Sequence, residues 1–251
     1  VKPGLFCIST ASILGIHAAS DSRIASRIGG LVLFGGFADW ERSLRFMLTG
    51  EMSNGHSVEP DPLNRTVVFL NMIPWLEGAP SDPVELAELW TRFVHETWEK
   101  PEMQTPERYL GVAAELSEQA RPEWRALFEK GTSLRPGGLE SLEHALQSWK
   151  EGPTDWLDPA PRMSEIRCPV SIVHGRDDRV IPWTEASELA AHLPSCVHTG
   201  TWVTGFYDHT GHSGPLRLFL RLPLLPIELW RSVRIVWAFV RASGMRSRQT
   251  A

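Results

Sequence analysis

Cysteine is scarce in this chain: three residues in 251, Cys7, Cys168 and Cys196. An odd and widely spaced set supplies neither a disulfide framework nor a CxxC metal pair, so these read as buried thiols in a reducing compartment. Excess positive charge is missing too. The 25 basic residues are outnumbered by 30 acidic ones, for a formal charge of −5 and a pI near 6.0. Without a basic field or an aromatic-interleaved basic stripe, nucleic acid is a poor candidate as partner. No apolar run reaches the ~18 residues that a membrane-spanning helix requires. Repeats and low-complexity tracts are absent, and 42% apolar with 22% charged residues is the balance of an ordinary folded domain. The N-terminus has no charged segment leading into a long apolar stretch and a cleavage site. The first residue is Val1 rather than methionine, which predicts a trimmed start; the expected compartment is the cytoplasm.

What is present alternates. Residues 4–8 are an apolar run too short for a helix, and 10–19 (TASILGIHAA) form a small-residue, apolar helix pattern despite Gly15. GGLVLFGGF (29–37) and PVSIVHG (169–175) are further buried strands, ASELAAHL (186–193) a helix and SCVHTGTWVTG (195–205) a fourth strand. Continuous apolar strands separated by helices predict a parallel sheet covered on both faces. Residues 40–160 break the alternation. They are helix-rich and acidic, with six tryptophans (75, 90, 98, 124, 149 and 156), and in SDPVELAELWTRFVHETWEK (81–100) a Ser or Asp cap precedes proline and acids. This predicts a helical lid inserted between two strands, hence a division into 1–39, 40–160 and 161–251.

The C-terminal tract is apolar and punctuated by arginine. From Gly214 onward seven arginines face a single acid, Glu228, a local charge of +6. One reading is a helix packed on the sheet with its arginines exposed; the other is an amphipathic helix in peripheral contact with a membrane surface.

The chemistry begins at GLFCISTAS. A serine set between the end of a buried strand and the start of a helix stands at the exposed edge of a sheet, its Oγ projected by a tight turn. The helix N-terminus then supplies N–H groups for an oxyanion. The usual pattern is G-x-S-x-G; in Cys7-Ile8-Ser9-Thr10-Ala11 both glycines are replaced by other small residues. On that motif alone, a serine capping the helix is the favoured reading. Two further segments bear on the choice. HGRDDRVIPWTEA (174–186) places Asp178 three residues past the strand-end Gly175, where the acid of a serine triad is held; Asp177 and Asp39 are alternatives. GFYDHTGHSG (205–214) follows the last strand with His209 and His212. The order serine, acid, histidine is that of the α/β-hydrolase arrangement. Neither histidine belongs to an HExxH helix or a carboxylate cluster, so no metal is called for.

On GLFCISTAS, LVLFGGFADW, HGRDDRVIPWTEA and the loop around His209, the chain resembles the α/β-hydrolase superfamily, in particular serine hydrolases of esterase or dienelactone-hydrolase type. The resemblance implies the C-terminal part of an α/β-hydrolase fold, a parallel sheet with flanking helices, carrying the helical lid. By position it implies Ser9 as nucleophile, Asp178 as acid, His209 as base and the Thr10 N–H as an oxyanion-hole donor. The substrate would be a small acyl compound, most simply a carboxylic ester, with no cofactor. In that superfamily several strands precede the elbow, and here almost nothing does. The expectation is an N-terminally truncated chain with little activity by itself and an unpaired apolar edge on its first strand. A non-catalytic homologue used for binding or assembly is the competing function, and a different α/β class with a merely structural serine the third.

Overall fold

A computed structural model of the chain describes residues 2–98, 100–150, 155–205 and 225–242. They divide into two compact units, one comprising Val1–Ser43, Met52–Gly55 and Asp155–Ala251, the other Leu44–Glu51 and His56–Thr154.

The first unit is built on four strands, β1 (Gly4–Ile8), β2 (Gly30–Phe34), β3 (Val170–Gly175) and β4 (His198–Thr204). They lie side by side in chain order, every pair parallel. Parallel neighbours cannot be joined by a tight turn, so the chain must cross over a face between strands. It does so through α1 (Ala11–Ser20) between β1 and β2, and through α9 (Glu185–His192) between β3 and β4. The central strands read as continuous apolar runs for this reason: all six residues of β3 are buried, as are four of the five in β2. One face packs Ile16 and Ala19 of α1 and Leu189 of α9 onto Leu31, Leu33, Val170 and Ile172. The other carries Val32, Val173 and Trp202, against which Ile235 of the C-terminal helix α10 (Leu225–Ala242) rests. Among the described residues β1 pairs only with β2, and at this edge Phe6 and Ile8 are about half exposed, at 45% and 50%.

Between β2 and β3 the chain runs through α2 (Trp40–Thr49), α3 (Asn64–Met72), α4 (Val84–Thr97), α5 (Pro106–Ser117), α6 (Pro122–Gly131), α7 (Gly138–Lys150) and the single turn α8 (Ala160–Met163). The helices from α3 to α7, with the last part of α2, lie in the second unit. Its centre is aromatic. Trp90 meets Phe69 edge-on at 5.3 Å and stacks near Phe128 at 6.4 Å, while its indole N–H donates to the Phe128 carbonyl. Gly131 makes the room: a Cβ there would lie 2.6 Å from the Trp90 indole nitrogen. Trp124 and Trp149 are buried as well, so three of the six middle-region tryptophans are core. Trp156, 55% exposed, belongs instead to the sheet unit. The start of α4 differs in detail from its sequence reading: Pro83 precedes the first helical residue, and Asp82 Oδ1 accepts from the Val84 N–H at 3.3 Å.

Candidate active site

Ser9 follows β1 directly and has φ = 53°, one of two non-glycine residues at positive φ among those described. Such a backbone costs an L-residue about 1 kcal/mol or more and persists only where neighbouring structure enforces it. Enforcement comes from both sides: the Ser9 N–H donates to the Phe34 carbonyl of β2 at 2.9 Å, and the Ser9 carbonyl accepts from the Ser12 N–H of α1 at 2.9 Å. Strand thus becomes helix within two residues, which leaves Ser9 half-buried at the carboxyl edge of the sheet. Thr10, exposed and helical in φ and ψ, precedes α1. N–H groups in this position have no intrahelical acceptor.

Cys7, two residues before Ser9, is accommodated by a glycine of α1. A Cβ on Gly15 would lie 2.4 Å from Cys7 Sγ, so the helix gives up the side chain that the strand has kept. Burial pushes the Cys7 thiol pKa up, which favours a protonated packing group. In the first turn of α1, Ser12 packs as closely on the loop after β2, where a Cβ on Gly36 would lie 2.5 Å from its Oγ.

Asp178 sits past the end of β3, 3% exposed. Its Oδ1 accepts from the N–H groups of Val180 and Ile181, both at 2.8 Å. The carboxylate therefore closes its own turn, an Asx-type use of aspartate that fixes where the second oxygen lies. That oxygen, Oδ2, lies 3.4 Å from Nε2 of His174, a fully buried residue of β3. The same Nε2 is 3.0 Å from the Ile181 carbonyl. A carbonyl can only accept, so Nε2 carries the proton and the imidazole ties both ends of the Asp178–Ile181 turn to the strand. Sequence reading passed over His174; its place four residues before Asp178, in HGRDD, was the available signal. Asp177, beside the turn, is half-buried. Asp39 serves α2: its Oδ1 accepts from the Arg42 N–H at 2.8 Å. His17 donates to the Trp156 carbonyl at 2.8 Å.

Strands β1 and β3 flank β2 and point the same way, so Ser9 and the Asp178 turn leave one edge of the sheet from strands two spacings, about 10 Å, apart. His209 and His212 lie outside the described residues. The last described residue before their loop, Gly205, is held firmly. Glu228 of α10, 3% exposed, accepts from Thr204 Oγ1 at 2.7 Å and from the Gly205 N–H at 3.1 Å, and pairs with Arg231 at 2.5 Å. Burial alone would raise its pKa, but the bonds from Thr204 and Gly205 and the Arg231 charge outweigh it and lower the pKa. Glu185, fully buried at the start of α9, does the same for the loop after β2. It accepts from the Ala38 and Asp39 N–H groups at 2.9 and 3.3 Å and from Arg42 Nη2 at 3.1 Å. Neither glutamate stood out in the sequence, because nothing local distinguishes a clamping carboxylate from a surface one. Among the described residues no group of three or more His, Cys, Asp or Glu is placed to hold a metal ion.

No family model matches the chain. Among curated proteins it is similar to a 2-hydroxy-6-oxononadienedioate/2-hydroxy-6-oxononatrienedioate hydrolase of Burkholderia vietnamiensis, 24% identical over 172 residues, covering 63% of this chain and 57% of that protein. A 2-hydroxy-6-oxo-6-phenylhexa-2,4-dienoate hydrolase of Delftia acidovorans is 32% identical over 71 residues, a quarter of each chain. Solved structures with a partial likeness include an alpha/beta fold family hydrolase of Bacillus anthracis, at TM-score 0.42, 11% identity and coverage of 94% of this chain and 67% of that one. A second is the 2-hydroxy-6-oxo-6-phenylhexa-2,4-dienoate hydrolase of Rhodococcus, at TM-score 0.36, 19% identity and coverage of 92% and 64%. The chain thus spans a little over half the length of the Burkholderia relative. Both curated relatives are named as hydrolases, in keeping with the resemblance that GLFCISTAS and HGRDDRVIPWTEA carry.

Proposed function

We propose that the protein is a serine hydrolase that uses Ser9 as nucleophile, His209 as general base and Asp178 as the acid that orients it. The observation that carries the reading is the conformation of Ser9. A non-glycine residue at φ = 53° between a parallel strand and a helix is strain spent on displaying one side chain, at the sheet edge from which the Asp178 turn also emerges. In this scheme His209 takes the Oγ proton as Ser9 attacks an acyl carbon. The Thr10 N–H, with no helical acceptor of its own, faces the oxyanion. His209 then returns the proton to the leaving group, and water releases the acyl product by the reverse sequence. The machinery needs no cofactor. The helical unit between β2 and β3 is the proposed lid insertion.

Two substrate chemistries fit such a centre. The simpler is a carboxylic ester. The curated relatives favour a second: the acids in their names carry an oxo group and no ester, so a hydrolase acting at that oxo carbon expels a carbon leaving group. Ser9, Asp178 and His209 would serve both.

The test is labelling of the full-length protein with a fluorophosphonate, with the modified residue located by mass spectrometry. An adduct on Ser9 is expected, absent in Ser9→Ala and at least 100-fold slower to form in His209→Ala. A folded protein that stays unlabelled would overturn the reading in favour of a non-catalytic homologue that binds or assembles. Where labelling succeeds, turnover of p-nitrophenyl acetate against a 2-hydroxy-6-oxo-dienoate separates the two chemistries.

A further inference from the structure

Helix α10 rests on the sheet through Ile235 and is pinned through Glu228, and the side turned away from the sheet carries an apolar stripe beside the exposed Arg234. Leu229, Trp230, Val233, Val236 and Trp237 are 54%, 58%, 65%, 62% and 47% exposed. At 100° per residue they fall within about 120° of the helix circumference, a stripe wide enough to bury a helix against a core. The nearby cations do not interrupt it. Arg231 is committed to Glu228, and the Arg234 guanidinium lies over both tryptophan rings, 5.4 Å from the centroid of Trp230 and 5.7 Å from that of Trp237.

Charge selects the occupant. Residues 1–213 hold 18 basic against 29 acidic residues, a charge of −11, whereas the tract from Gly214 holds seven arginines against Glu228. A second copy seated on α10 would bring two basic tracts together. An anionic surface would attract this tract, repel the acidic remainder and so orient the molecule. The apolar stripe also contains two tryptophans, the residue best suited to the boundary between hydrocarbon and headgroups, where ring and indole N–H are both satisfied. Among the described residues no helix is long and apolar enough to cross a membrane, so the contact lies in the plane of the interface. We propose that α10 docks the protein on an anionic lipid surface, with Trp230, Val233 and Trp237 inserted below the headgroups and Arg234 at their level.

Flotation with vesicles tests this. At 0.1 M salt, vesicles of phosphatidylcholine and phosphatidylserine (7:3) should bind the protein at least tenfold more strongly than pure phosphatidylcholine, with a blue shift of tryptophan emission, and 1 M salt should release it. Trp230→Ser with Trp237→Ser should lower binding at least tenfold while the protein still unfolds in one cooperative melt. Arg234→Gln should reduce the preference for phosphatidylserine. Three results would overturn the proposal: no binding to either vesicle, equal binding to both, or a dimer seen by light scattering that the double variant dissolves while lipid binding stays absent. The last would make a second copy the occupant.

Discussion

Two strand-to-helix turns on one sheet edge handle a polar side chain in opposite ways. After β1, Ser9 is held by backbone bonds to Phe34 and Ser12 in a conformation its own side chain disfavours. After β3, Asp178 is held by its own carboxylate, one oxygen of which closes the turn through Val180 and Ile181. The first turn is strained and displays its residue; the second is satisfied and has its residue built in. Side-chain truncation should therefore have opposite effects on stability at the two turns, and that contrast can be broken by experiment.

The largest effect is expected at Asp178. Asp178→Ala strips one buried and one part-buried N–H group of their acceptor, which should cost about 3 kcal/mol at roughly 1–3 kcal/mol per orphaned group. Asp178→Asn keeps one oxygen and should cost clearly less. Urea unfolding of the three proteins decides it, and equal losses in both variants would mean that charge rather than turn closure is what matters.

Next comes the packing beneath the Ser9 turn. Gly15→Ala forces a methyl against Cys7 Sγ, and overpacking of this kind costs about 1–3 kcal/mol. If Gly15 compensates for the glycine missing at position 7, adding Cys7→Ala should recover most of that loss. A double-mutant cycle without coupling would sever the link between them.

A smaller effect with the reverse sign is expected at Ser9. Ser9→Gly and Ser9→Ala both lack the hydroxyl, so their difference isolates the backbone: the glycine variant should be the more stable by about 1 kcal/mol. An alanine variant of equal or greater stability would show that the positive φ is not strained. Elsewhere, replacing a residue by glycine costs backbone entropy, which makes the sign diagnostic.

The smallest effect is a change in pH dependence. The Glu228 pKa is lowered in the folded protein, so its contribution to stability is present above the ordinary glutamate value near 4.3 and is lost as pH falls through the folded value. Glu228→Gln should be less stable than wild type at pH 7 and should converge towards it in acid. Thermal melts from pH 7 to pH 3 test this, and parallel curves would show that the carboxylate is not the group that matters there.

Much of the sheet unit was legible in the sequence because its logic is local. Runs such as LVLF and VSIV can only be strands buried on both faces, and the small, apolar ASILGIHAAS can only pack closely. Ser9 and Asp178 were found as members of short segments, GLFCISTAS and HGRDDRVIPWTEA, whose spacing already implied a turn. The positive φ of Ser9, the match of Gly15 to Cys7, the tie of His174 across four residues and the reach of Glu185 and Glu228 to loops 147 and 24 residues away were not legible. Each depends on which backbone groups the packed sheet leaves unsatisfied, and the sequence does not list those. The C-terminal helix shows the same division. Its composition announced an amphipathic helix, but which side would be buried depended on where Ile235 met the sheet and where Glu228 found Thr204. The sequence by itself determined the elements and the residue types proposed for the site. Only the tertiary structure decided strain, clamping and the outward face, because those are properties of groups distant in sequence competing for the same space and the same hydrogen bonds.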